Sequence, residues 1–364
     1  MQKKLIALAV AGLVSAPVFA QSNVTIYGVA DAYMGFGSHG DNDMAAVNSG
    51  GLAGSRIGFR GTEDLGNGLK AVFTFEHGVS IDNNDGLGET LVRQQFVGLA
   101  GGFGSVTLGR QYAPGYDFQY DAFASSPILS AQSILSNYDA AVTIDAGTGS
   151  RWDNSVAYNG SFSGLKVRAI YAMGDQENSY VEPLGGKLMD PSDDDRFGLG
   201  VEYANGPLKV GAVYHYLKDP VSVTGSDDQT EWLVGGSYNF GVLTLAASYQ
   251  DVSSAGYEST VDGNIWQVGV IVPVGAAGNV HVGYGEGEIE EAGQPDLKAK
   301  SYSIAYTHAL SKRTTAYAGY NRTDNDAGLD AGPVAYRPSA ADVAAGRFGG
   351  DESDVFAVGV RHTF

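Results

Sequence analysis

The chain contains no cysteine. Disulfide scaffolds, thiolate metal sites and thiol nucleophiles are thereby excluded, and passage through an oxidising compartment offers nothing to mispair. Positive charge is scarce too: 22 Lys and Arg face 41 Asp and Glu, for a net charge of −19. That balance argues against nucleic acid as a partner, because phosphate contacts need a basic surface. Long apolar runs are also missing. The longest, residues 5–14, is shorter than the roughly 20 residues a membrane helix needs. The six histidines, at 39, 77, 215, 281, 308 and 362, are scattered. No His-x-x-x-His, Gly-x-Ser-x-Gly or phosphate-cradling loop occurs, so neither an enzyme nor a resident metal or cofactor is expected. Asp82-Asn-Asn-Asp-Gly86 begins like a calcium loop but lacks its spacing and its closing Glu.

What is present starts with an address. Lys3 and Lys4 precede the short apolar run, and Ser15-Ala-Pro-Val-Phe-Ala20 supplies small residues before a cut. This is the pattern of a secretory signal peptide over residues 1–20. Cleavage after Ala20 leaves residues 21–364 as one unit, and losing the two lysines takes the net charge from −19 to −21. With no second apolar segment, a mature chain that enters a membrane must do so as a β-barrel.

The remaining sequence is a series of hairpins without interdomain linkers. Tight turns fall at residues 63–68, 101–104, 161–164, 205–207, 239–241, 273–279 and 309–313. Long polar stretches alternate with them, at 37–51, 80–89, 111–150, 175–194, 218–229, 253–262, 286–297 and 324–352. Short turns on one side and long loops on the other are expected of an outer-membrane barrel, and the count predicts sixteen antiparallel strands. The strands alternate with period two. Leu208, Val210, Ala212, Tyr214 and Tyr216 oppose Lys209, Gly211 and His215, and aromatics recur near strand ends. The last strand runs to the terminus itself, with Phe356, Val358 and Val360 on one face and Phe364 closing the chain.

Several segments stand out in order along the chain: Val24-Thr-Ile-Tyr-Gly-Val-Ala-Asp31, residues 55–71 from Ser-Arg-Ile-Gly-Phe-Arg, Phe96-Val-Gly-Leu99, Gly104-Ser-Val-Thr-Leu-Gly-Arg-Gln111, and the closing Val358-Gly-Val-Arg-His-Thr-Phe364. Together they resemble one family, the trimeric general porins of the β-proteobacterial outer membrane. The resemblance implies a sixteen-stranded transmembrane barrel, a homotrimer, and a third loop folded inward to narrow each pore. It implies a general diffusion channel in the bacterial outer membrane for small ions and hydrophilic solutes. Phe364, Val360, Val358 and Phe356 would be the signal read by the barrel-assembly machinery. Outer-membrane lipid and lipopolysaccharide are the expected surroundings, with acidic loops suited to Ca²⁺ or Mg²⁺ that bridge lipopolysaccharide phosphates. The alternative is a solute-specific channel, kept open by Tyr112, Tyr116, Phe118 and Tyr120.

Residues 111–150, the longest stretch without alternation, would be the inward loop. Its apolar pairs Ile128-Leu129 and Ile134-Leu135 suit packing on an inner wall, and its acids are Asp117, Asp121, Asp139 and Asp145. Facing it, Arg56 and Arg60 alternate with Ile57 and Phe59, so both point away from lipid. Arg151 shares parity with Asp153, Ser155 and Ala157, opposite Val156 and Tyr158, and is expected to point the same way. By resemblance, Arg56, Arg93 and Arg151 line the constriction, and Arg110 takes a pore-lining position. Arg93 shares parity with Val97 and Leu99, so either that strand's faces are reversed or a bulge intervenes. Arginine rings favour anions, and the acidic mouths oppose that preference, leaving a weak lean toward anions.

Overall fold

The computed structural model describes residues 23–40, 42–83, 92–123, 126–135, 150–174, 195–218, 227–254, 260–326, 329, 331–333 and 352–364. The expected signal peptide lies outside them. Seventeen strands occur among the described residues. They are β1 (Asn23–His39), β2 (Asn42–Ser49), β3 (Arg56–Gly66), β4 (Leu69–Gly78), β5 (Val92–Gly101) and β6 (Gly104–Tyr112). Next come β7 (Arg151–Phe162), β8 (Leu165–Ala172), β9 (Arg196–Asn205), β10 (Leu208–Leu217), β11 (Gln229–Asn239) and β12 (Thr244–Ser253). The series ends with β13 (Val261–Val274), β14 (Gly278–Glu291), β15 (Leu297–Ala309), β16 (Thr314–Asn325) and β17 (Ser353–Thr363).

Every pairing is antiparallel, and β17 returns to β1 with Val29 opposite Thr363 and His39 opposite Ser353. β2 and β3 share one stave: β2 pairs with the upper half of β1 and β3 with its lower half. The sheet is therefore a closed ring of sixteen staves. The seam closes on backbone as well. The Gly28 N–H donates to the Phe364 carbonyl at 3.1 Å, and the Phe364 N–H returns a bond to Gly28 at 3.2 Å. A side chain at Gly28 would strike the Phe364 ring.

Two stretches expected as loops are partly strand. β1 and β2 continue as a hairpin through 37–49, and β14 runs to Glu291 before β15 resumes at Leu297. Above the lipid, polar alternation carries no cost, so the ladders keep pairing. Glu288 lies opposite Lys298 there and pairs with its ammonium at 2.9 Å.

The alternation sorts residues as a membrane requires. Val210, Tyr214, Trp232, Val234, Ile304 and Val358 are exposed on the outer face, where lipid tails would cover them. Aromatic rings form a belt across β11–β15: Trp232 meets Tyr249 at 5.2 Å, Trp266 meets Tyr284 at 5.2 Å, and Tyr284 meets Tyr302 at 5.0 Å. Such amphipathic rings sit at the headgroup level.

A soluble protein's core is replaced by a loop inside the barrel. Residues 113–135 include a one-turn helix, α1 (Pro114–Asp117), and a second, α2 (Ala131–Leu135). Phe118 and Tyr120 pack on Val213 and Leu233 of β10 and β11. Phe123, Ile128 and Leu129 pack on Tyr33, Ala305, Tyr317 and Val355, and Leu135 on Ile265 and Ala299. These partners are all inward-facing positions. The wall makes room with glycine: a Cβ at Gly200, Gly211, Gly235, Gly269 or Gly283 would lie 2.2–2.6 Å from Phe118, Tyr120, Ala122 or Phe123. Of the chain's 52 glycines, these five form a mould for the loop.

Candidate functional site

The inner wall beside the root of the loop gathers charge. Glu76 on β4 is 4% exposed and is the centre of the arrangement. Its Oε1 accepts from Arg93 Nε at 2.8 Å and from the Tyr112 hydroxyl at 3.1 Å. Its Oε2 accepts from the Tyr27 hydroxyl at 3.0 Å and lies 3.6 Å from Arg56 Nε. A carboxylate this enclosed needs such partners, since an unpaired buried charge costs several kcal/mol.

Arg93 reaches the hub through a bulge. Glu76 pairs with Gln94 and His77 with Val92, so Arg93 is the extra residue. The parity conflict resolves accordingly: Val97 and Leu99 stay outward and Arg93 turns in. Its guanidinium also donates to the Tyr112 hydroxyl at 2.7 Å and the Tyr116 hydroxyl at 3.3 Å. Those two rings stack at 4.0 Å, nearly parallel, and Arg151 lies over both, at 5.0 and 5.5 Å from their centres. Arg60 sits lower on the same face, 5.0 Å over the Tyr27 ring. Arg56, Arg60, Arg93 and Arg151 thus share the lumen, three of them around one carboxylate and one tyrosine pair.

Arg110 is elsewhere. It shares parity with the exposed Val106 and Leu108, and its guanidinium pairs at 2.8 Å with Asp153, which is 73% exposed. Arg110 is outward by the alternation of its own strand, and two features turn Asp153 out beside it. The register shifts between Gly109 and Gln111, and Asn154 adopts a left-handed φ of 52°. Gln111 and Trp152 then take the inward positions, where Gln111 donates to Ser155 and accepts from Thr107. The expected pore-lining place of Arg110 is corrected by this outward pairing.

The loop acids divide as well. Asp117 on α1 forms an ion pair with Arg168 of β8, so it anchors the loop rather than facing the arginines. Asp121 accepts from the Phe123 N–H at 2.8 Å in a tight local turn and lines a separate cavity. Asp139 and Asp145 lie outside the described residues. The loop root is further held by His215 of β10. Its Nε2 accepts from the Gly115 N–H at 3.2 Å, which leaves Nδ1 to donate to Glu231 at 3.0 Å. Phe118 and Tyr120 are consumed in wall packing, and Tyr120 donates to Glu202 at 3.1 Å. Burial, and then the Glu202 carboxylate, raise the Tyr120 phenol above its ordinary value. Among the described residues the four aromatics form no slide of the kind a solute-specific channel needs: Tyr112 and Tyr116 stack on each other beside the arginines.

Glu76, Tyr27 and Arg168 were missed by sequence reasoning. Glu76 carried a usable signal, since it alternates with the outward Phe75 and shares parity with Thr74. Among the described residues no group of His, Asp and Glu could hold a metal.

A closed sixteen-stave barrel, apolar outside and charged within, is a transmembrane channel and not an enzyme. The chain belongs to the Gram-negative porin family, whose model matches residues 7–328. It is 32% identical over its whole length to the outer membrane porin protein 32 of Delftia acidovorans, also covered completely. A shorter match, 44% identical over 31% of this chain and 33% of the relative, is to major outer membrane protein P.IB of Neisseria gonorrhoeae. Among solved structures, the anion-selective porin from Comamonas acidovorans superposes with a TM-score of 0.75 at 28% identity. That match covers 94% of this chain and 100% of that one. The protein is accordingly a porin of the Gram-negative outer membrane, a diffusion pore for small solutes.

Proposed function

We propose that each barrel is a passive, weakly anion-leaning pore whose narrowest zone lies between the 113–135 loop and the Arg56–Arg93–Arg151 wall, with three copies to an assembly. The arginine cluster carries the reading. Two guanidiniums, Arg56 and Arg93, share the single carboxylate of Glu76, a third, Arg151, stacks over Tyr112 and Tyr116 beside them, and Asp117 is already neutralised by Arg168. The local excess is positive at any relevant pH, because arginine does not titrate there. Polar solutes orient in that field, and apolar ones must break ordered water to enter.

Assembly has its own support. His77, Gln95, Arg110 and Asp153 form a polar group on outward parity, with Gln95 bonded to His77 at 3.2 Å. Bare lipid would penalise Arg110 at depth, whereas a second copy of the chain would accept it. Contact with lipopolysaccharide, through Ca²⁺ or Mg²⁺ held by acidic loops, and reading of the terminal strand by the assembly machinery belong to the same proposal.

The test is conductance across a planar bilayer in a KCl gradient. Steps in groups of three with an anion-signed reversal potential are expected, and Arg93→Ala or Arg151→Ala should move that potential toward the cation side. A cation-signed potential in the unaltered protein would assign selectivity to the acidic rim, and an absence of steps would refute the pore.

A further inference from the structure

Below the loop, toward the short-turn end, the lumen holds a cavity of about 290 Å³ that no part of the arginine cluster touches. Leu52, Phe123, Ile271 and Ala305 give it an apolar floor, and Asp121 and Arg361 bring opposite charges to its lining. His281 lines it too, but both ring nitrogens are engaged, one by the Ala122 carbonyl at 2.7 Å and one by the Thr307 hydroxyl at 2.9 Å.

Arg361 is the notable member. Its cross-strand neighbour on β1 is Asp31, the natural ion-pair partner. Asp31 is fully committed elsewhere. It accepts from the Gly51, Leu52 and Ala53 N–H groups at 2.9–3.2 Å and from the Tyr317 hydroxyl at 2.6 Å. Arg361 makes no hydrogen bond or ion pair among the described residues. An unpaired guanidinium in such a pocket is a ready receptor for a carboxylate, because its planar fork donates to both oxygens at once.

We infer that this cavity is a transient station for small aliphatic α-amino acids. The carboxylate meets Arg361, the ammonium meets Asp121, and the side chain rests on Phe123, Ile271 and Ala305. An inorganic anion would use only the first of these features, and a plain amine only the second. The inference rests on the pore reading and adds to it: flux of this one solute class saturates, while that of KCl stays ohmic.

The experiment is single-channel recording in KCl with 2-aminobutyrate, butyrate or butylamine added at the short-turn side. 2-Aminobutyrate should reduce conductance along a saturating curve, at lower concentration than either singly charged analogue. Arg361→Gln should raise the half-blocking concentration about ten-fold, the loss expected for one charge-assisted contact. Ala305→Phe, which fills the floor without altering charge, should abolish block, and unblocked step size in the same membrane reports that each variant is folded. A linear response to 2-aminobutyrate, or block by butyrate that matches it, overturns the inference while leaving the pore intact. Block that survives Arg361→Gln but disappears in Arg93→Ala overturns it by placing the solute at the arginine cluster. An absence of steps in the unaltered protein would instead refute the pore reading itself.

Discussion

Glu76 restrains the wall it belongs to. It holds Arg56 and Arg93 against β4 and cancels one of the positive charges that an incoming ion meets. Glu76→Gln keeps one acceptor oxygen, enough for Tyr112 or Tyr27 but not both, and removes that cancellation. Anion preference should therefore rise, read as a larger anion-signed reversal potential in a KCl gradient. An unchanged potential would mean that the cluster does not set selectivity. Asp31 is a residue of another kind. Four donors converge on it, three of them backbone N–H groups of the 50–55 segment that splits the second stave into β2 and β3. Asp31→Ala strands those donors and should cost about 3 kcal/mol, since each orphaned buried group is worth roughly 1–3. Thermal loss of the folded form in detergent, followed by gel mobility of heated samples, measures it.

At the scale of elements, the inner loop depends on wall positions that have no side chain. A Cβ at Gly235 would sit 2.3 Å from the Tyr120 ring. Gly235→Ala should destabilise by about 1–3 kcal/mol as an overpacked contact and shift unit conductance as the loop gives way. Gly102, in a tight turn with nothing within 4 Å, is the control: Gly102→Ala should stay within about 0.5 kcal/mol of the parent. Strands, turns and faces were legible in the sequence because period-two alternation is local and lipid enforces it at every strand. The inward placement of Arg56 and Arg60 followed from the same parity. Arg110 keeps the parity of the outward Val106 and Leu108, so its side was legible too, although the family resemblance placed it in the pore. The outward turn of Asp153 did not follow, because an extra residue in β7 and a left-handed Asn154 reset the count there. Nor did the mould for the loop, since each of its glycines meets a residue some 80 to 160 positions away. The bulge at Arg93 was visible only as a conflict of parity, which the partner strand had to resolve.

For the molecule as a whole, closure depends on the last residue. Phe364 makes two backbone bonds to Gly28 and presents its ring outward near the short-turn rim. Deleting Phe364 should lower the fraction of chain that reaches the outer membrane folded, as judged by heat-modifiable mobility in membrane extracts. The seam it closes is also bridged from within. Ile128 and Leu129 sit in one cluster with Tyr33 of β1, Tyr317 of β16 and Val355 of β17, so the loop touches both sides of the last ladder to form. Those partners lie on strands separated by nearly the entire chain, and the loop's seat is incomplete until the two ends have met. The seat of the narrow zone is therefore complete only when the seam has closed, and an unfinished barrel lacks part of its filter. Permeability becomes a record of folding: a pore that discriminates between ions is one whose first and last strands have already joined.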